Sequence, residues 1–324
     1  MDNMVYNGMS ENIFQSFKSL TYSINELEYA TIYRKIYEVL PKECISFSNF
    51  NIEELIGCEV ICSAICNKIN WDFLRKVVFS RTLENPSWLI PDKLVSLKPH
   101  DIYIMLSEYE KKERIMAKER CEMLVEIGRC LQKGPKTFKK IFFKDETSIN
   151  TYEDIVNFFN SVNVFSSDPQ QKKLQLLLQS LSDYPQFSIL SNYYKPTIDY
   201  HLIRLFLRRG IVKPLTQAAM EYIFNQESIR KENTVASLRQ VCSESLETLC
   251  WITSLDVRTV NRIEWWVGRT TCINGVPDCY LEKSESSWLK KCFDKCPYYN
   301  YCYARQVNNK FLDISEPRYH GNSY

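Results

Sequence analysis

The stretch Ile198-Asp199-Tyr200-His201-Leu202-Ile203-Arg204-Leu205-Phe206-Leu207-Arg208-Arg209-Gly210 reads as one helix with both ends marked. Asp199 is placed to cap it, because a carboxylate accepts hydrogen bonds from the unpaired N–H groups of a first turn. Leu202, Leu205 and Phe206 recur at helical spacing and are expected to pack inward. Arg204 and Arg208 stand four apart on one face, and Gly210 is a natural stop. For a lone Asp, capping is the ordinary role.

The surrounding chain agrees with a helical fold. Only 8 of 324 residues are glycine, while Leu, Lys, Glu, Tyr and Phe abound, which argues for an α-rich protein. No apolar run reaches membrane-spanning length, and the first twenty residues carry no secretory pattern. A cytoplasmic or nucleoid-associated protein is expected. The 13 cysteines are too dispersed for a small secreted scaffold and suit a reducing compartment. Net charge is only +2, so any surface for nucleic acid must be local. Between Lys172 and Lys213 seven basic residues face two acidic ones, Asp183 and Asp199, and this is the local excess. P-loop, dinucleotide-binding, zincin and serine-hydrolase motifs are absent.

The pattern Asp-x-His-x-x-Arg-x-x-x-Arg from Asp199 to Arg208 resembles the segment around the catalytic Asp of the helix-hairpin-helix DNA glycosylase superfamily, the endonuclease III family in particular. Downstream, Gly268-Arg269-Thr270-Thr271-Cys272 resembles the Gly-Arg-x-Thr-Cys that opens that family's iron–sulfur loop. The two matches stand in the family's order. The resemblance implies an all-α fold of two helical lobes, a barrel-like lobe over 50–190 and a second lobe from 1–49 plus 191–324. The active cleft would lie between them, with Asp199 at its edge.

The C-terminal cysteines extend the resemblance. The family's loop reads Cys-x6-Cys-x2-Cys-x5-Cys. Here six residues separate Cys272 from Cys279 and five separate Cys296 from Cys302, with a middle spacing enlarged to sixteen. Four thiolates on a short loop suit a [4Fe–4S] cluster. Zinc in a four-cysteine site is an alternative, disulfides are a third, and Cys292 is an alternative ligand to Cys279. Tyr298, Tyr299, Tyr301 and Tyr303 would shield the cluster, and Lys290, Lys291, Lys295 and Arg305 form a basic loop able to meet a backbone phosphate.

One departure concerns the hairpin itself. The family's Leu-Pro-Gly-x-Gly turn grips a DNA phosphate through backbone N–H groups, whereas Leu176 to Asp199 contains no glycine. The lysine that bifunctional members use as a nucleophile has no counterpart near Leu181, and Lys172 or Lys173 would replace it only with a different geometry. Hydrolytic, monofunctional chemistry is therefore expected.

In the first half, Asn25–Leu40 reads as an amphipathic helix with Leu27, Ala30, Ile32, Ile36 and Leu40 inward, closed by Pro41. Gly57 to Val78 is the most apolar stretch, and Ile61-Cys62-Ser63-Ala64 followed by Asn67 is similar to the region near the base pocket of the 8-oxoguanine glycosylase branch. Asn67, Asn70 and Trp71 are candidates to touch a nucleotide by hydrogen bonding and stacking. The competing reading is a buried helix whose Cys58, Cys62 and Cys66 face the core. Pro86, Pro91 and Pro99 mark a loop or linked short helices. Ile102–Gln132 reads as a long helix or pair of helices whose charged run is solvated. Lys136–Lys144 is either a nucleic-acid grip or an amphipathic helix with lysine edges.

These readings converge on a monomeric DNA N-glycosylase that flips a modified base into a cleft lined by Trp71, Tyr193 and Tyr194. Lys172, Lys173, His201, Arg204 and Arg208 are assigned to nucleic-acid contact or support. The alternatives are an N-glycosidase for a nucleoside or RNA base, as in queuosine salvage, and a non-catalytic cluster-bearing nucleic-acid binder.

Overall fold

The computed structural model describes residues 17–19, 25–41, 49–146, 148–224, 232–281 and 288–314. Among the described residues it is helical apart from one two-stranded sheet and an isolated bridge between Phe143 and Ile149. The chain divides into two compact units, one formed by Met1–Glu43 with Lys195–Asn322 and the other by Cys44–Tyr194. The boundaries expected at 50 and 190 thus fall a few residues further out.

The first unit begins with β1 (Phe17–Ser19), which the polar N-terminal sequence did not suggest, and α1 (Glu26–Val39), capped by the Asn25 side chain on Glu28 N–H. The buried face of α1 is Tyr29, Tyr33 and Ile36, while Leu27 is 79% exposed. The expected aliphatic stripe is therefore corrected to one led by two tyrosines. The reason is electrostatic as well as apolar, since Tyr33 donates to the buried carboxylate of Glu264.

The second unit opens with α2 (Ile52–Ile65), held at its start by a reciprocal capping box between Asn51 and Glu54. Every residue from Leu55 to Ile65 is buried, so α2 is a central core helix with Cys58 and Cys62 inside it. Its closing carbonyls need donors. Lys173 Nζ reaches Ala64 O at 2.7 Å, Arg120 Nε reaches Ile65 O at 3.0 Å, and Cys66 Sγ reaches Ser63 O at 3.3 Å. α3 (Trp71–Glu84) follows, then α4 (Pro91–Val95) and α5 (Pro99–Met105), each of these two starting on a proline, as does the 3-10 turn Pro86–Leu89.

The charged run after α5 is not one long helix. It forms a short 3-10 turn (Lys112–Arg114), and α6 (Ala117–Lys133) starts only after Met116, which takes a left-handed φ of 44°. Arg120, expected on a solvated face, is fully buried, and its guanidinium also bonds Arg114, Ile115 and Asn67 carbonyls. α7 (Lys139–Phe142) buries Ile141 and Phe142, the amphipathic reading of that segment. α8 (Tyr152–Asn160), α9 (Asn163–Ser166) and α10 (Lys172–Leu181) complete the unit.

The chain then returns to the first unit with α11 (Tyr200–Arg209), β2 (Val212–Pro214), α12 (Gln217–Phe224), α13 (Glu232–Thr253), α14 (Val257–Thr270) and α15 (Tyr303–Gln306). β2 pairs antiparallel with β1, Lys213 opposite Lys18. α11 has the expected limits. Asp199 Oδ1 accepts Leu202 N–H at 3.0 Å, and Gly210 closes the helix at φ 75° with Ile211 N–H bonding Phe206 O. A Cβ at Gly210 would stand 2.6 Å from Tyr303 Cβ, so glycine is required twice over. Leu202, Leu205 and Phe206 join Val260, Ile263 and Val267 of α14 in the core. No described helix is long and apolar enough to cross a membrane.

Candidate metal centre

Two sequence matches 60 or more residues apart meet in the first unit, residue against residue. α14 lies so close to α11 that a Cβ on Gly268 would come within 3.0 Å of His201 O. Arg204, fully buried, donates from Nη2 to Gly268 O at 2.6 Å and from Nε to Cys272 O at 2.9 Å. One turn later, Arg208 donates to Ile273 O at 2.7 Å and Ile314 O at 3.0 Å, and its Nη1 lies 3.7 Å from Cys272 Sγ. The helix that Asp199 caps therefore holds the start of the cysteine loop by three backbone carbonyls and one sulfur, and the segment beyond the loop by a fourth carbonyl, Ile314 O.

That loop folds around a small cavity of about 20 Å³ that opens to solvent. Its wall contains Cys272, Cys279, Cys296 and Cys302, the four cysteines whose spacing matched the family's outer pairs. Cys292 is not in the wall. Leu205, Thr271, Pro277 and Leu312 supply apolar surface, and Arg208, Arg209 and Tyr298 complete the lining. All five C-terminal cysteines are free thiols. Burial pushes the Cys279 thiol up to about 12, and burial then neighbouring thiols push Cys296 and Cys302 upward as well. Thiols so disposed ionise only against a strong compensating positive charge. Among the described residues, no three His, Cys, Asp or Glu side chains converge closely enough to ligate one metal ion. The six residues 282–287 of the enlarged middle spacing lie outside the described residues.

Beneath the pocket lies an ion pair that sequence reading missed. Arg209 Nη1 contacts Glu264 Oε1 and Oε2 at 2.6 and 2.7 Å, both residues being buried. Tyr33 also donates to Glu264, and the Arg209 guanidinium lies 3.5 Å from the centre of the Tyr298 ring. The signal for Glu264 was available: four residues after Val260 and four before Gly268, it sits on the inward face of α14.

Several expected nucleic-acid contacts have other duties. Arg204 and Arg208 are 0% and 1% exposed and committed to the loop, which corrects their assignment to nucleic-acid contact. Their charge is spent on carbonyls that the loop's irregular path leaves unpaired. His201 supports them, its Nδ1 3.3 Å from Arg204 Nη2. Asp199 is 8% exposed and acts as the helix cap.

In the second unit, Lys173 is 3% exposed, and burial lowers its ammonium to about 8. It caps Ala64 O rather than meeting solvent. Lys172 N–H and Gln170 N–H both donate to the Asp168 carboxylate, at 3.0 and 3.1 Å. Asn70 is the N-cap of α3, accepting Phe73 N–H at 3.0 Å, and Trp71 is half-buried with the Arg75 guanidinium 5.7 Å from its ring. Asn67 is buried, its Nδ2 near Met116 Sδ. Tyr194 is buried, whereas Tyr193 is 44% exposed and stacks on Tyr152 with ring centres 4.7 Å apart and planes 8° off parallel.

No protein-family model matches this sequence, and no curated protein matches it either.

Proposed function

We propose that the chain is an iron–sulfur DNA N-glycosylase of the helix-hairpin-helix kind, acting by hydrolysis. The observation that carries the reading is the mutual grip of the two matched segments. Arg204 and Arg208 of the Asp199 helix bond Gly268, Cys272 and Ile273, and Cys272 then shares one pocket with Cys279, Cys296 and Cys302. Four thiols, three buried and one half-buried, line one pocket at spacings that match a [4Fe–4S] loop's outer pairs, with zinc as the alternative. When bound, the cluster would cross-link the loop and supply the positive charge that four thiolates need. The exposed Lys290, Lys291 and Lys295 would then meet a phosphate backbone.

Cleavage of an N-glycosidic bond leaves positive charge on the sugar. In this reading Asp199 opposes that charge and directs a water to the anomeric carbon, the base departing with the bonding electron pair. Helix capping and catalysis are compatible, because the cap uses Oδ1 and holds the carboxylate in one orientation.

A second reading, an N-glycosidase for a nucleoside or RNA base, is favoured by one specific contact. No glycine stands between Gly134 and Gly210, and the N–H groups of Gln170 and Lys172 at the start of α10 are taken by Asp168. That end of α10 thus has its own anion in place of a phosphate.

The test is mass spectrometry of bases released from modified duplex DNA, single-stranded RNA and free nucleosides by anaerobically purified protein. Release from duplex DNA, lowered about 10²-fold or more in Asp199→Asn, supports the first reading. Release from nucleosides or RNA alone supports the second. Tight binding of nucleic acid with no base released from any substrate removes the catalytic assignment.

A further inference from the structure

The cluster reading leaves one group without a role. Arg209 is 4% exposed, and only its Nη1 is bonded, to Glu264. Its Nε and Nη2 are buried and have no hydrogen-bond partner among the described residues. Buried, unsatisfied N–H groups on a charged side chain are costly. The tyrosine beside it does not relieve them. At 3.5 Å from the Tyr298 ring centre the guanidinium lies against the ring's face, and face contact leaves the in-plane N–H edges free.

Those edges belong to a residue that lines the same pocket as Cys272, Cys279, Cys296 and Cys302. The opposite end of the side chain is fixed. Glu264 receives Arg209 and the Tyr33 hydroxyl, and Tyr33, Tyr29 and Tyr298 pack together, with Tyr29 and Tyr298 ring centres 6.3 Å apart.

Resting on the cluster reading, we propose that Arg209 is a positioning residue for the cluster. Its Nε and Nη2 donate to cluster sulfur, while Glu264 and Tyr33 brace it from behind. Hydrogen bonds and positive charge at the sulfurs favour the more reduced, more negative state, so Arg209 raises the reduction potential. They also retain the cluster against chelators. Arg208 contributes one sulfur contact from Nη1, which with Nε also bonds carbonyls.

The experiment uses the anaerobically purified full chain. Wild type is first assayed for iron and sulfide, and a chain with neither overturns the cluster reading and this inference together. With iron present, Arg209 and Glu264 are replaced jointly (Arg209→Met with Glu264→Met), so that no lone charge is left buried. The expected result is a wild-type circular dichroism spectrum, iron loss to a chelator at least tenfold faster, and a one-electron equilibrium shifted at least tenfold toward the oxidised cluster, 59 mV in potential. Unchanged potential and chelation rate in the folded double variant overturn the inference and leave the cluster reading standing. Should the double variant not fold, pulsed electron paramagnetic resonance decides on the reduced cluster of Arg208→Lys protein carrying ¹⁵N-guanidino arginine. A coupled arginine nitrogen is expected, and its absence overturns the proposal.

Discussion

Each unit of this protein buries one glutamate–arginine pair with a tyrosine hydroxyl on the carboxylate, and the two pairs serve different ends. In the second unit Arg75 Nη2 lies 2.5 Å from Glu59 Oε1, Tyr184 donates to the same oxygen at 2.9 Å, and the Arg75 guanidinium sits over Trp71 and Phe79. That pair ties α2 to α3 inside a closed core. In the first unit Arg209, Glu264 and Tyr33 form the same triad, but the arginine lines the thiol pocket. Similar chemistry is thus a core fastener in one place and the floor of a site in the other. Both guanidiniums lie against aromatic faces, and the difference is that Arg209 also shares a pocket wall with four cysteines.

The largest expected effect breaks both pairs alike and then separates them. Arg75→Met and Arg209→Met should each lower folding stability by about 3–5 kcal/mol in denaturant titrations, because each leaves a buried carboxylate alone. Only Arg209→Met should also lower iron per folded chain. Equal iron in the two variants would dissolve the distinction.

The next contrast concerns two buried cations that cap the same end of α2, Lys173 on Ala64 O and Arg120 on Ile65 O. Burial lowers the Lys173 ammonium from 10.5 to about 8, and the Arg120 guanidinium only to about 10. The sign follows from proton counts. Between pH 8 and 10.5 the unfolded chain still holds the Lys173 proton while the native chain has released it, so stability rises with pH through that window. Below pH 8 both states are protonated and the native state carries the full burial cost. At 1.36 kcal/mol per decade the rise is about 3 kcal/mol. Urea unfolding of wild type and Lys173→Met from pH 7 to 10.5 should give a stability difference that moves by this amount in favour of wild type. A pH-independent difference would mean an ordinary lysine.

Legibility differed between the same regions. The limits and inward face of α11 were written in Asp199, Leu202, Leu205, Phe206 and Gly210, because capping, periodicity and a left-handed stop are local effects. The four pocket cysteines were likewise marked by spacing, and their gathering in one wall followed. Side-chain destinations were not local. Arg120, Lys173, Arg204 and Arg208 all read as surface cations, yet each is drawn inside by carbonyls over 50 residues away in sequence. Nothing in a lysine's or arginine's neighbours along the chain announces a distant helix end with unpaired oxygens. Tyr33 was passed over for the same reason, since its partner Glu264 lies 231 residues away.

Two glycines sharpen the comparison at the level of helix contact. A Cβ at Gly128 would meet Leu94 Cβ at 2.9 Å and Pro91 O at 3.0 Å in the second unit. At Gly268 it would meet the His201 backbone at 3.0 Å. Alanine at either site should cost about 1–3 kcal/mol by overpacking, measured as a shift of the denaturation midpoint. Gly268→Ala should additionally speed iron loss to a chelator, because it forces α14 off the helix whose Arg204 bonds Gly268 O. If Gly268→Ala and Gly128→Ala retain iron equally, the grip between the two matched segments does not hold the cluster loop.

The smallest stability effects come from the helix caps, and they give the clearest separation of structure from chemistry. Asn70→Ala and Asp199→Ala each remove a side-chain acceptor from a first-turn N–H and should cost about 1 kcal/mol. Asn70→Asp and Asp199→Asn retain an acceptor and should change the unfolding midpoint by only a few tenths of a kcal/mol. Catalysis divides them. An asparagine at 199 caps the helix but carries no negative charge to set against a developing sugar cation, so Asp199→Asn should be as stable as wild type and release about 10²–10³-fold less base. If base release survives in Asp199→Asn at wild-type stability, Asp199 is a cap and nothing more, and the carboxylate that opposes the cation must be sought on another element.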